Sequence, residues 1–133
     1  YIEGTEIAVS VFETGVSVQS LPAVEIQPDG GFYDYNCRYV AGLTEFFCPA
    51  RLNGETAERA ANLAVAAHEA LNLRDLSRSD IIVDRNGELW FLEVNVAPGM
   101  TETSLFPQSV AAAGLQLGEV FDSLVSIAVQ RGG

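Results

Sequence analysis

Two stretches with strand-like composition, residues 77–84 and 88–95, constrain the fold of this chain more than any other feature. Both are rich in Ile, Val, Leu, Phe and Trp, which favour extended structure. Asn86 and Gly87 lie between them, and this dipeptide is typical of a two-residue type I′ turn, in which both central residues have positive φ. The sequence therefore predicts an antiparallel hairpin whose turn is flanked by Arg85 and Glu88.

Counting back from this turn gives the register of the hairpin and places polar groups together at its open end. The predicted pairs on one face are Asp84 with Leu89, Ile82 with Phe91, Asp80 with Glu93, and Arg78 with Asn95. Directly opposed side chains have Cβ atoms about 4.5–5.5 Å apart, and like charges at that distance are destabilising. The predicted pairing of two acids therefore requires a physical explanation.

The acid pair of Asp80 and Glu93 has several explanations. A divalent cation between the carboxylates, with Asn95 as a neutral oxygen ligand, is the simplest, and Arg78 then serves as a phosphate or oxyanion partner. The alternatives are protonation of one acid, a different register, or a solvated strand end with an ordinary arginine–carboxylate bridge. The apolar residues around Glu93 are typical of a central strand, which favours the metal site over the solvated end.

The hairpin is followed by a loop suited to anion binding. A Pro98-Gly99 turn ends the second strand. Three hydroxyl residues then precede an apolar helical run, namely Thr101, Thr103 and Ser104. Hydroxyls and backbone amides at the start of a helix can donate hydrogen bonds to an anion. For Ser104 alone, a simple helix cap is the better interpretation.

Three motifs in this region have a definite order and spacing. They are Arg78-x-Asp80, Leu92-Glu93-Val94-Asn95, and Pro98-Gly99-Met100-Thr101-x-x-Ser104-Leu105-x-Pro107. Together they resemble the carboxy-terminal part of D-alanine–D-alanine ligase, a family of the ATP-grasp superfamily. Upstream, the run Phe32-Tyr33-Asp34-Tyr35-Asn36-Cys37-Arg38-Tyr39 resembles the omega loop of that family, and Gly4-Thr5-Glu6 resembles its Gly-x-Glu strand. The resemblance covers almost the whole chain.

This resemblance implies an α+β fold, in which an antiparallel sheet carries helices mainly on one face and nucleotide chemistry on the other. Residues 1–133 would form the carboxy-terminal ATP-grasp subdomain. The substrate domain and the first nucleotide-binding part would precede Tyr1, so this fragment is expected to be inactive alone. The implied reaction joins two D-alanines through a D-alanyl phosphate, using ATP, for peptidoglycan precursor synthesis in the cytoplasm. A homodimer is one assembly open to the intact protein.

The functional residues of the family also map onto this sequence. The implied positions are Asp80, Glu93 and Asn95 for two Mg²⁺ ions, or Mn²⁺; Arg78 and Gly99 for catalysis; Glu6, Phe32 and Arg38 for the nucleotide; and Tyr39, Ser104 and Leu105 for the second D-alanine. Arg38 stands where the family has a lysine, which keeps the charge but changes its geometry. Without the resemblance, Glu6 is equally well interpreted as a solvated surface acid.

Two other functions stay open on the sequence alone. The first is an ATP-grasp ligase that joins another carboxylate to another amine or hydroxy acid, with the same residues for Mg²⁺ and ATP. The second is a non-catalytic acidic domain that binds metal or nucleotide. The absence of lysine from the chain is consistent with this second interpretation.

The charge of the chain disfavours two classes of partner. The net charge is −11 and the pI is near 4.2, so the sequence offers no basic stripe for a nucleic acid or an anionic membrane. No apolar run has the length of a membrane span, and the first residues do not resemble a signal peptide. Cys37 and Cys48 match no metal-binding spacing, so we expect reduced thiols.

Periodicity predicts the elements outside the hairpin. Residues 1–13 alternate as a half-buried strand, and residues 16–26 continue as a second strand. Residues 28–49 mix aromatic and polar residues without a period, which is typical of a binding loop or lid. Two short packing helices are predicted at residues 108–113 and 119–130.

One longer helix is predicted at residues 54–73, which lie in the sequence between the first strands and the hairpin. Asn53 or Thr56 would cap it. Its apolar stripe consists of Ala60, Leu63, Ala64, Ala67 and Leu71. His68 lies off that stripe, so we expect it at the surface.

Overall fold

The computed structural model describes residues 1–28 and 44–132, which form six strands and three helices. The strands are β1 (Gly4–Glu13), β2 (Val18–Ser20), β3 (Val24–Pro28), β4 (Thr44–Phe47), β5 (Leu76–Asp84) and β6 (Leu89–Asn95). The helices are α1 (Gly54–Ala70), α2 (Leu105–Ala112) and α3 (Leu117–Gly132). The paired strands are antiparallel, so the α+β class predicted from the sequence is confirmed.

Strand β1 is the centre of a sheet with the order β4-β3-β1-β5-β6. It pairs with β5 from Gly4, opposite Asp84, to Phe12, opposite Leu76. On its other edge it pairs with β3 near its start and with β2 near its end. The single strand predicted for residues 16–26 is therefore divided. Pro22 lies between the two pieces, and proline has no N–H group to donate to a strand ladder.

One face of the sheet is covered by α1. The core on this face consists of Ile7, Val9, Val11, Ala60, Ala64, Ile81 and Val83. Asn53 begins the helix, since its Oδ1 accepts a hydrogen bond from the backbone N–H of Thr56 at 2.8 Å. This bond satisfies an amide that the first helical turn leaves without an intrahelical partner. Of the two predicted caps, Asn53 is the one that forms.

The opposite face is covered at one end by α2 and α3, so the helices lie on both faces of the sheet and not mainly on one, as was predicted. Phe12 faces this side because successive strand residues alternate between faces. The cluster around it consists of Phe12, Leu21, Phe106, Val110, Val120 and Leu124. Towards the start of β1, the same face carries Ala8 opposite Asp80 and Glu6 opposite Ile82. This second part of the face positions the candidate site.

His68 is buried, so its predicted surface position is wrong. Only 1% of its surface is exposed, and its Nδ1 lies 2.8 Å from Oγ of Ser77 in β5. The buried residues of α1 are Thr56, Ala60, Ala64 and His68, which repeat every four positions. Positions four apart lie on one helical face, so the row of alanines continues to His68. Leu71, assigned to the stripe from its hydrophobicity, is 55% exposed.

Arg51 joins β3, β4 and the segment before α1. Its Nε and Nη2 donate to the carboxylate of Glu25 at 3.1 and 2.6 Å, and its backbone N–H donates to the same carboxylate at 3.0 Å. The same Nη2 donates to Oε1 of Gln27 at 2.6 Å, and the guanidinium lies 3.6 Å above the ring of Phe47. The Arg51 side chain holds the pKa of Glu25 below its ordinary range. Charge and stacking therefore both fix the β3–β4 hairpin.

Helix α2 begins three residues before its predicted start at 108 and ends one residue before its predicted end at 113, whereas α3 extends beyond both predicted boundaries, 119 and 130. Their buried faces are short, with Phe106, Ser109 and Val110 in α2 and Val120 and Leu124 in α3. Taken singly, none of the helices in the described part of the chain is long and apolar enough to cross a membrane. Only α2 and α3 together, across a bend of 105°, reach such a length and composition.

Candidate active site

The turn of the β5–β6 hairpin differs from the prediction. The N–H of Gly87 donates to the carbonyl of Asp84 at 2.9 Å, and the N–H of Asp84 donates to the carbonyl of Glu88 at 3.0 Å. Gly87 has φ of 78°, whereas Asn86 is not among the residues with positive φ. This is a three-residue loop over residues 85–87, with glycine in the left-handed position that such loops use. The predicted two-residue type I′ turn is therefore wrong.

The carboxylate of Asp84 explains why the longer loop forms. Its Oδ1 accepts hydrogen bonds from the backbone N–H groups of Asn86 at 2.8 Å and Glu88 at 3.0 Å. Its Oδ2 accepts from the indole N–H of Trp90 at 3.0 Å. The indole, followed by the Glu88 amide, lowers the pKa of Asp84. Aspartate commonly organises turns by bonding to the backbone two residues on, and here it stabilises the three-residue loop.

The register at the open end of the hairpin is the predicted one, although the register near the turn is not. Near the turn the pairs are Val83 with Leu89, Ile82 with Trp90 and Ile81 with Phe91. Towards the open end they are Asp80 with Glu93, Ser79 with Val94 and Arg78 with Asn95. The predicted pairs of Asp84 with Leu89 and of Ile82 with Phe91 are wrong. A bulge between Asp80 and Ile81 leaves Leu92 as an extra residue on β6. The longer turn and the bulge each shift the register by one residue, and the two shifts cancel before the acid pair.

Asp80 and Arg78 form a tight ion pair on the face that carries Ala8 of β1. Nε of Arg78 donates to Oδ1 of Asp80 at 2.8 Å, and Nη2 donates to Oδ2 at 2.9 Å. The Arg78 side chain is only 13% exposed and the Asp80 side chain only 4%. The arginine–carboxylate bridge that was one alternative at this position therefore forms, but it is buried and not solvated. The positive charge of Arg78 reduces the repulsion between Asp80 and Glu93.

Glu93 lies on an edge strand, which corrects the central-strand interpretation of β6. Within residues 1–28 and 44–132, β6 pairs only with β5. Glu93 is exposed, and Trp90, Phe91 and Leu92 are between 41% and 47% exposed. Apolar composition alone does not distinguish a central strand from an edge strand that leaves large side chains in contact with solvent. The acid pair thus consists of one buried and one accessible carboxylate.

The predicted metal ligands form an open set of oxygen donors. Each oxygen of Asp80 accepts one hydrogen bond from Arg78, and Oδ1 of Asn95 accepts from the N–H of Ala97 at 2.9 Å, so each of these oxygens has a further lone pair. No group of three or more His, Cys, Asp or Glu residues in the described ranges is arranged to hold a metal. Two carboxylates and an amide fit Mg²⁺, which commonly takes one or two protein carboxylates together with waters and substrate phosphates.

The loop after β6 folds back on itself through the side chain of Ser104. Its Oγ accepts from the N–H of Thr101 at 3.0 Å and lies 2.7 Å from Oγ1 of Thr101. A Cβ atom added to Gly99 would lie 2.8 Å from the same Oγ, so only glycine permits this approach. Ser104 occupies the N-cap position of α2 but makes no side-chain cap hydrogen bond. Gly99, Ser104 and Leu105 are therefore brought together at the start of α2.

Comparison with known proteins shows the family of this chain. Residues 1–126 match the family model described as D-ala D-ala ligase C-terminus. The chain belongs to this family. It is 41% identical over 126 residues to the D-alanine–D-alanine ligase of Bordetella petrii, covering 95% of this chain and 39% of that protein. It is 40% identical over 131 residues to the ligase of Fervidobacterium nodosum, covering 98% of this chain and 41% of that protein.

Solved structures of D-alanine–D-alanine ligases share the fold. The chain superposes on the enzyme from Bacillus anthracis with a TM-score of 0.78 at 33% identity, covering 98% of this chain and 41% of that one, and equally on the same enzyme complexed with ATP. It superposes on the VanG D-Ala:D-Ser ligase from Enterococcus faecalis with a TM-score of 0.79 at 29% identity, covering 96% of this chain and 37% of that one. The chain thus spans about two fifths of the length of the relatives it matches.

The structure describes only some of the remaining predicted residues of the candidate site. Glu6 lies on β1, on the same face as Ala8, and it pairs with Ile82 on one side and Ile26 on the other. It is therefore on the face that carries Asp80. The other three predicted positions, Phe32, Arg38 and Tyr39, lie outside the described residues.

Two features of the site were missed by sequence reasoning. One is the bulge at Leu92, whose sequence signal is the unbroken apolar run over residues 89–92 where an exposed hairpin should alternate. The other is the contact between Thr101 and Ser104, since a serine before a helix is ordinarily interpreted as its cap. Neither feature moves a predicted ligand away from the site.

Proposed function

We propose that the protein carrying this chain joins two D-alanines in an ATP-dependent reaction through a D-alanyl phosphate, releasing ADP and phosphate. The observation that carries the proposal is the pairing of Asp80 with Glu93 and of Arg78 with Asn95, on a strand that is followed by the Gly99–Ser104 loop, in a chain of this family. The dipeptide would serve peptidoglycan precursor synthesis. A cytoplasmic location is part of the proposal, because the reaction consumes ATP.

Asp80, Glu93 and Asn95 are the proposed holders of two Mg²⁺ ions, with Mn²⁺ as a substitute. When bound, these ions neutralise charge on the β- and γ-phosphates of ATP. Asp80 also orients Arg78, since both of its oxygens accept from the guanidinium. Arg78 would then contact the transferred phosphoryl group and stabilise the oxyanion of the later tetrahedral intermediate. The backbone N–H of Gly99 is the proposed second donor to that oxyanion.

The start of α2 is the proposed site for the carboxylate of the second D-alanine. Ser104 and the backbone N–H of Leu105 would donate to it, at the positive end of the helix dipole. Glu6, Phe32 and Arg38 are proposed for the nucleotide side. Tyr39 is proposed to close the second-substrate side of the site.

The reaction is tested by measuring ADP release by the full natural protein with D-alanine and with a panel of other amino and hydroxy acids. We expect release that depends on D-alanine and yields D-alanyl-D-alanine. A protein that releases no ADP in response to D-alanine contradicts the proposed reaction. Light scattering on the same preparation tests the homodimer that we propose for the intact protein.

The metal assignment has a separate test in nucleotide binding. We expect the double variant Asp80→Asn/Glu93→Gln of the full protein to bind an ATP analogue more weakly in the presence of Mg²⁺ than the unsubstituted protein does. Without Mg²⁺ the two proteins should bind the analogue similarly. Equal affinity in the presence of Mg²⁺ would remove these residues from the metal site.

A second candidate function is ligation of D-alanine to a different acceptor. The similarity to VanG, described as a D-Ala:D-Ser ligase, supports this candidate, because the described residues match the fold of that enzyme as well as that of a D-alanine–D-alanine ligase. The proposed Mg²⁺ and phosphate contacts are the same in both reactions. The product formed from D-alanine in competition with D-serine distinguishes them.

A further inference from the structure

Thr101 and Ser104 are joined by three hydrogen bonds. The backbone N–H of Ser104 donates to the carbonyl of Thr101 at 2.9 Å, and the backbone N–H of Thr101 donates to Oγ of Ser104 at 3.0 Å. The third joins the two hydroxyls at 2.7 Å. These bonds close residues 101–104 into a tight turn. Ser104 Oγ is thereby held by a partner three residues earlier, on the side away from its own helix.

The orientation of Ser104 leaves the start of α2 open to a ligand. A serine that caps a helix accepts from the N–H of the second or third helical residue, and Ser104 makes no such bond. The third residue of α2 is Pro107, which has no N–H group. The first two amides of the helix, at Leu105 and Phe106, are thus not occupied by the Ser104 side chain. An incoming anion is the natural acceptor for donors at this position.

The same bonds leave two directions for the Ser104 proton, since either hydroxyl can be the donor to the other. A serine hydroxyl has one proton to donate and two lone pairs to accept with. One lone pair of Ser104 Oγ takes the N–H of Thr101. If Thr101 Oγ1 donates to the second lone pair, the Ser104 proton is free to point out of the turn. A carboxylate nearby favours this arrangement, because charge-assisted hydrogen bonds are stronger than neutral ones.

We propose that Thr101 is a positioning residue for the second substrate, which orients the hydroxyl of Ser104 as a donor to the substrate carboxylate. This inference rests on the proposed function. The role of Thr101 is indirect, since it acts through Ser104. The close approach of Ser104 Oγ to Gly99 ties this donor to the proposed oxyanion donor, so that the turn fixes the spacing between the substrate carboxylate and the reacting carbon.

The test compares three variants of the full protein. Thr101→Val keeps the shape and the backbone N–H but removes the hydroxyl, whereas Thr101→Ser keeps the hydroxyl. Thr103→Val is the matched control, because the Thr103 hydroxyl lies 3.4 Å from that of Thr101 and makes no bond to Ser104 in the described structure. Thermal unfolding of each variant checks that the fold is unchanged.

We expect Thr101→Val to raise the KM of the second D-alanine about 3- to 10-fold, which corresponds to the loss of one hydrogen bond. The KM for ATP should be unchanged. Thr101→Ser should restore the wild-type KM, and Thr103→Val should not alter it. Hydroxylamine, which captures an acyl phosphate as a hydroxamate with release of phosphate, has no carboxylate, so its turnover by Thr101→Val should equal that of the wild type.

An unchanged KM for the second D-alanine in Thr101→Val overturns the inference. A parallel loss of hydroxylamine turnover also overturns it, because it indicates general damage to the site. Failure of Thr101→Ser to restore the KM has the same consequence. These outcomes leave the proposed ligase activity standing, whereas the absence of D-alanine-dependent ADP release in the unsubstituted protein removes the proposed function and this inference together.

Discussion

Two of the arginine–carboxylate pairs in the described residues are similar in geometry and differ in their surroundings. Arg78 with Asp80, and Arg51 with Glu25, both use two guanidinium nitrogens, and the carboxylate side chains are 4% and 8% exposed. In the Arg51–Glu25 pair, the carboxylate also accepts from the backbone N–H of Arg51, and the guanidinium stacks on the ring of Phe47. Opposite Asp80 lies a second acid, Glu93.

The difference shows that the contacts around an arginine–carboxylate pair decide its role, and that the geometry of the pair does not. The contacts of Arg51 and Glu25 support one another and connect two strands to the segment before a helix, which is a structural arrangement. Asp80 is placed opposite a like charge, which lowers stability in a sheet. Sequences depart from such local rules mostly at functional sites. We therefore propose that Arg51 and Glu25 serve folding and that Arg78 and Asp80 serve chemistry.

The largest effect that separates the two pairs is expected from their carboxylates. In the full protein, Asp80→Asn should lower D-alanine-dependent ADP release about 10²- to 10³-fold, because a preorganised charge at the reacting phosphate is lost. Glu25→Gln should retain the wild-type rate at a temperature where it stays folded. Steady-state assays beside circular dichroism measure both effects, and an equal loss of activity in the two variants would contradict the distinction.

A smaller effect, on stability, is expected from Arg51→Met. Loss of the bonds to the carboxylate of Glu25 should lower the free energy of unfolding by more than the control substitution does, since hydrogen bonds to charged groups contribute more than neutral ones. Urea unfolding provides the measurement. The matched control is Arg85→Met, because the ion pair of Arg85 with Glu3 is 2.9 Å long but 76% and 74% exposed. The control should change stability by no more than about 0.5 kcal/mol. Similar losses in both variants would show that burial of Glu25 is unimportant.

The smallest effect is expected in the pH dependence of stability. The pKa of Glu25 is lower in the folded protein because of Arg51, so the charged carboxylate stabilises the fold above its unfolded pKa of about 4.3. This contribution is lost as the pH falls through the lower folded pKa. The stability difference between wild type and Glu25→Gln should therefore shrink as the pH is lowered below about 4.3. Urea unfolding at a series of pH values tests this, and a constant difference would exclude linkage to Glu25.

The acid pair was predictable although the hairpin around it was not. The prediction assumed a two-residue turn and no bulge, and the structure has a three-residue turn and a bulge at Leu92. The two departures have opposite effects on register, so Asp80 still faces Glu93. The exposure of Glu93 was not predictable, because a run of apolar residues does not determine whether a strand pairs with one strand or with two.

The sequence by itself determined the features that depend on residues close together in the chain. These include the extended runs of β5 and β6, the start of α1 near Asn53 or Thr56, and the glycine in the hairpin turn. In each of them the relevant contacts lie within a few residues, so local preferences are enough to fix them.

Only the tertiary structure decided the features that depend on distant contacts. His68 is buried because β5 brings Ser77 against the last turns of α1, and Glu25 is buried because Arg51 returns to it from across the β3–β4 hairpin. β6 is an edge strand because within the described residues it pairs with β5 alone. The physical reason is that burial is a property of what packs on a residue from elsewhere in the chain, and a pattern of neighbouring residues does not specify those partners.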